Sequence, residues 1–185
     1  MFEPLIFTAT LAGGILIFAI FVFNRLVHAR NLVANAWSDI DVQLVRRHDL
    51  VPQLVACVNA YKNYEQSTLQ AITQLRNSSE QATSIEHKAN IEQAIASNVQ
   101  NLVAVAEGYP QLQADKNFQQ LSASLVKLEE HIQYARRFYN GAVKQLNTRI
   151  ESFPDLVIAQ LFTISTAEFF SANAQARDLP QISLD

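Results

Sequence analysis

Two groups of polar residues carry side chains able to do chemistry. The first is Asp39, Asp41, Arg46, Arg47, His48 and Asp49; the second is Arg136, Arg137, Tyr139 and Asn140. Carboxylates beside a histidine are the raw material of acid–base chemistry, and a carboxylate facing a guanidinium makes two-pronged, directional bonds. Apolar residues at Leu44 and Val51 imply a helical stripe, and Arg47 or His48 falls where it should continue, so at least one charge faces inward. The structural expectation is that an aspartate of the first group pairs with an arginine of the second, Asp49 with Arg137 for example, and fixes helix register. The functional alternative is a polar pocket beside Pro52 that holds a ligand or partner. Of the two, the register reading is preferred.

Other chemical signatures are missing. No Gly-rich phosphate loop, His-Glu-x-x-His or cysteine pair occurs, and none of the glutamates has a histidine three residues on, as di-iron bundles require. No catalytic residue, metal ligand or cofactor is therefore assigned. Cys57, the single cysteine, excludes an internal disulfide and reads as an inert thiol on a helix. A net charge of −3, with 17% charged residues, argues against nucleic acid as a partner.

These groups are positioned by helices. Pro4 to Asn24 is an uncharged stretch of 21 residues, long enough as a helix to cross the ~30 Å hydrocarbon layer of a bilayer. It lacks the basic start and small-x-small site of a cleaved signal, so it reads as a retained anchor. Arg25 and Arg30 follow it, which places the C-terminal domain in the cytoplasm and the N-terminus outside. Ala9 with Gly13, and Thr10 with Gly14, are small residues four apart, a spacing that permits close helix–helix approach in lipid.

Beyond the anchor, Val33, Trp37, Ile40, Leu44, Val51, Leu54, Val58, Leu69, Ile72 and Leu75 keep helical spacing, which predicts one helix from about Leu5 to Arg76 with a kink before Pro52. Trp37 reads as a core anchor. Asn77 to Ser84 is a turn. A second helix carries Ile91, Ile95, Val99 and Leu102 and ends at Gly108-Tyr109-Pro110, before a loop from Tyr109 to Lys116. The third has the cleanest period, from Phe118 through Leu128, Tyr139 and Ile150 to Phe153. Pro154 opens a short apolar segment, 154–170, that either fills the core, the preferred reading, or lies on the bilayer. The expectation is an all-α protein: a transmembrane helix continuing into an antiparallel bundle of three long helices and one short one. Its parts are an anchor (1–27), a cytoplasmic bundle (28–170) and a polar tail (171–185).

The same segments resemble the LemA family. The resemblance rests on Arg30-Asn31-Leu32-Val33, on Ala36-Trp37-Ser38-Asp39-Ile40-Asp41-Val42-Gln43-Leu44 and on Arg46-Arg47-His48-Asp49-Leu50-Val51-Pro52. It extends through Val105-Ala106-Glu107-Gly108-Tyr109-Pro110, Asn117-Phe118, Ala135-Arg136-Arg137-Phe138-Tyr139-Asn140 and Phe153-Pro154. Gly108 and Leu146 depart from the family's usual Ala and Tyr. The resemblance implies a bacterial inner-membrane protein, single-pass, with a cytoplasmic helical bundle, and no reaction. The function expected is a non-enzymatic membrane scaffold that forms a homo-oligomer and organises or shapes the bilayer. Alternatives are an adaptor for another membrane or signalling protein and, last, an enzyme using the polar cluster near Pro52.

Overall fold

A computed structural model describes residues 3–61, 66–106 and 108–171. Among these residues the chain is all-helical, without strands. Six helices follow in order: α1 (Glu3–Tyr61), α2 (Gln66–Glu80), α3 (Ile85–Ala106), α4 (Pro110–Gln113), α5 (Lys116–Glu151) and α6 (Asp155–Leu161). The chain divides into two compact units, and both α1 and α5 contribute to each.

The first unit comprises Met1–Ser38 and Arg137–Glu168. The apolar stretch of α1 is long enough to cross a membrane, and its Ile6, Phe7, Leu11, Ile15, Ile17 and Phe21 side chains are exposed. From Val22 the helix turns a narrow stripe inward: Val22, Leu26, Ala29, Val33 and Ala36, in steps of four and three. Tyr139, Val143, Leu146 and Ile150 of α5 and Ala159 of α6 complete this core. Between Phe23 and Trp37 the chain is helical throughout.

The second unit comprises Asp39–Arg136 and Phe169–Asp185. Ile40, Leu44, Val51, Leu54 and Val58 of α1 are buried with Ile95, Val99 and Leu102 of α3 and Leu125, Leu128 and Ile132 of α5. Chain directions follow from side-chain neighbours. Thr73 and Arg76 of α2 lie by Val55, Pro52 and His48, and Ser79 lies by His48 and Leu44, so α2 runs back along α1. Lys88 meets Asp41 and Glu92 meets Arg47, so α3 runs the same way as α1. Ser84 accepts from the His87 amide to start α3, and Asp115 accepts from the Phe118 amide to start α5; both are side-chain N-caps.

Four expectations change. The helix foreseen from Leu5 to Arg76 is two elements, α1 and the reversed α2, and the turn shortens to residues 81–84. The Tyr109–Lys116 loop holds one helical turn, α4, which buries Leu112. Trp37 is half-buried, and the fully buried Ala36 takes the position on the seam. The segment 154–170 is helical only to Leu161. There Thr163 adopts φ 54°, the Ile164 amide donates to the Ala159 carbonyl at 2.9 Å and the Thr163 amide to Gln160 at 3.2 Å. That pair of bonds is a Schellman closure, which stops a helix by satisfying its last carbonyls. After it Asn147 grips the Ala167 backbone twice, donating to its carbonyl at 3.0 Å and accepting from its amide at 2.9 Å. The expected polar tail lies beyond residue 171, outside the described residues.

Candidate functional site

Arg47 and His48 are adjacent on α1 and both are buried, at 3% and 8% exposure. Two consecutive polar side chains of this size can be enclosed only where other helices cover α1 on more than one side; in this unit α2, α3 and α5 do so. Their common partner is Glu92 of α3, 3% exposed. The Arg47 guanidinium grips one carboxylate oxygen of Glu92, and its Nη2 also donates to the Glu92 backbone carbonyl at 3.1 Å. Its Nη1 donates to Glu129 of α5 at 3.0 Å. The second oxygen of Glu92 lies 2.9 Å from His48 Nε2 and accepts from the Ser79 hydroxyl of α2. One carboxylate thus joins three helices, and Arg47 extends the network to a fourth.

Burial alone would push the Glu92 carboxyl up. The hydrogen bond from His48, the charge of Arg47 and the Ser79 hydroxyl outweigh it and hold the group at about 2. Glu92 is therefore ionised at neutral pH and can only accept, which assigns a proton to His48 Nε2. Ser79, His48 and Glu92 are the residue types of a hydrolytic triad, but not in its order. In a triad the imidazole stands between hydroxyl and acid. Here hydroxyl and imidazole both bond the same carboxylate oxygen, and a carboxylate held near 2 is too weak a base to activate serine.

Beside this network a cleft of about 340 Å³ is lined by Asp41, His48, Asp49, Arg76, Glu80 and Lys88. Lys88 Nζ donates to Asp41 at 2.9 Å, and Arg76 Nε to Glu80 at 3.3 Å. On another side of α1, Arg46 and Asp49 line a more open groove with Lys127 and His131. No group of three potential metal ligands occurs among the described residues.

The two polar groups read from the sequence are thus distributed differently. Arg47 and His48 belong to the buried network, Asp41 pairs with Lys88, and Asp39, Arg46 and Asp49 are exposed. Arg136 lies 3.5 Å from Gln93 and its guanidinium covers the Phe170 ring at 5.1 Å; burial and the Arg47 charge pull its pKa down, against Glu129. Arg137 is exposed. The buried arginine is Arg47, and the carboxylates that hold it are Glu92 and Glu129; Asp49 and Arg137, the pair expected from the sequence, are both exposed. In the other unit the Tyr139 hydroxyl donates to the Glu168 carbonyl at 2.8 Å, its ring meets Trp37 at 5.5 Å, and burial with the Glu168 charge raises its pKa. Asn140 is half-buried there.

Sequence reasoning missed Glu92, Ser79 and Glu129. A signal for Glu92 existed: it falls on the apolar stripe between Ala89 and Ile95, a charge breaking one stripe as Arg47 breaks another.

The chain is similar in sequence to known proteins. The model of the LemA family matches residues 36–184. Over 168 residues the chain is 28% identical to Protein LemA of Metamycoplasma hominis, covering 88% of this chain and 73% of that one. Over 82 residues it is 33% identical to the magnetosome proteins MamQ 1 and MamQ 2 of Paramagnetospirillum magneticum, a match that spans 44% of this chain and 30% of theirs.

Proposed function

The chain belongs to the LemA family, and from that premise we propose that it is a non-enzymatic, membrane-anchored scaffold that self-associates and organises the bacterial inner membrane. The observation that carries this reading is α1 itself. It passes from the lipid-length apolar stretch to Tyr61 as one helix, with no flexible connector between Phe23 and Trp37. A helical exit makes tilt of the anchor felt directly in the residues that leave the lipid. The helices after it form an antiparallel bundle, and the Arg47–Glu92–His48–Ser79 network serves as its polar clamp, fixing register rather than performing a reaction. Arg25 and Arg30 orient the bundle to the cytoplasm.

Lateral contact between copies uses the small-residue face of the anchor. Ala9, Thr10 and Gly14 are exposed, and a Cβ added at Gly13 or Gly14 would meet nothing within 4 Å in the single chain. The test is the mass of the full-length protein in lipid nanodiscs and in detergent across a dilution series. The expected result is a concentration-dependent oligomer; a monomer at every concentration removes the scaffold reading. A second reading, an adaptor for another membrane or signalling protein, is favoured by the charged cleft at Asp41, Asp49, Arg76 and Glu80. A stoichiometric foreign partner recovered from crosslinked membranes, lost on charge reversal at Arg76 and Glu80, distinguishes it.

A further inference from the structure

We propose that α6 and the turn before it are seated in the lipid headgroup–acyl boundary, beside the point where α1 leaves the bilayer. Val157 and Leu161 stand four residues apart on one face of α6, and Phe153 lies in the turn before it; they are 54%, 72% and 83% exposed, and the neighbouring Phe162 is 54% exposed. Four large apolar side chains exposed within ten residues mark a surface that something apolar covers. The opposite face already packs on protein, since Asp155 and Ala159 are buried. The segment therefore has no need of the charged face that an isolated interfacial helix shows.

What covers the patch follows from its neighbours in the same unit. The Phe162 ring lies 4.6 Å from that of Phe23, at the end of the apolar stretch of α1. Arg25, the first charge after that stretch, places its Nε 4.0 Å from Asp155. These two contacts put α6 level with the boundary between the lipid-length segment and the first cation, so its apolar face continues the lipid-facing surface of α1. Charge agrees. Residues 25–38 and 137–168 hold five Lys and Arg against three Asp and Glu, although the whole chain is at −3, and a positive surface favours anionic headgroups. The partner is the bilayer, not a second copy of this chain.

This inference rests on the anchor reading, and the test separates the two. In a Cys57→Ser background, nitroxide labels are placed singly at Val157→Cys, Leu161→Cys and, within the span, Leu11→Cys, in full-length protein in phosphatidylethanolamine–phosphatidylglycerol vesicles. Collision with oxygen, which concentrates in lipid, is compared with collision with a water-soluble nickel chelate. The expected result is high oxygen and low nickel access at all three sites, with labels at 157 and 161 shallower than at 11. High nickel access at 157 and 161 with lipid values at 11 overturns the proposal and leaves the anchor standing. Low access to both probes at 157 and 161 means that protein covers the patch, and also overturns it. High nickel access at 11 overturns the anchor reading, and this inference with it.

Discussion

At the scale of single residues, stability is concentrated in Glu92. Its carboxyl is held at about 2 against an ordinary value of 4.5, so folding favours the ionised form. For a group depressed on folding, the stabilisation is fully present above the unfolded value and is lost as pH falls through the folded one. Stability should therefore fall by on the order of 3 kcal/mol between pH 4.5 and about 2 from this group alone. Glu92→Gln should cost ~3 kcal/mol at pH 7, because Arg47 stays buried with only Glu129 opposite it, and should flatten the acid limb. Urea midpoints of both proteins from pH 7 to 2 check this; parallel curves would mean that Glu92 is not the titrating group. Half of this network was legible in the sequence. Arg47 or His48 had to interrupt an apolar stripe, but their shared partner lies 45 and 44 residues away on another helix, and no local pattern says which helix that is. The aspartates looked the better candidates because they cluster with other polar residues, whereas Glu92 is a single charge on the stripe between Ala89 and Ile95.

At the scale of elements, the most regular patterns were the readable ones. In α5 the positions from Phe118 to Ile150 that were expected on the seam are buried, apart from the half-buried Leu121, while Phe153 falls outside because the helix ends at Glu151. The reversal between α1 and α2 was invisible for a definite reason. From Gln53 to Glu107 the sequence has no glycine or proline, and Leu69, Ile72 and Leu75 keep the helical spacing of the residues before them. Periodicity reports which face is buried, not which way the chain runs. The end of α6 was hidden likewise, since it depends on a threonine in the left-handed region that favours glycine. Thr163→Gly should relieve that conformation and raise stability by ~1 kcal/mol. Thermal or urea unfolding of the full chain measures it; a loss of stability would show that the Thr163 side chain makes contacts worth more than the backbone strain.

At the scale of the whole molecule, the family and one helix of membrane-crossing length were more legible than purpose. A lipid-length apolar stretch and family motifs can be read from residue types alone, whereas self-association depends on surfaces that one chain leaves open. A Cβ at Gly13 meets nothing within 4 Å, so Gly13→Ala enters such a surface without disturbing the chain's own packing. If the small-residue face joins copies, it should weaken assembly in nanodiscs about tenfold, or ~1.4 kcal/mol; unchanged oligomer mass would assign the contact elsewhere. The pairing of Trp37 with Tyr139 has a practical consequence. The chain's sole indole lies in one compact unit, and the acid-labile carboxylate lies in the other. Intrinsic emission therefore watches one half of the protein while circular dichroism averages both. Acidification followed by the two signals together is a native cooperativity assay: coincident curves mean that the halves melt as one body, and separated curves mean that each keeps its own melting transition.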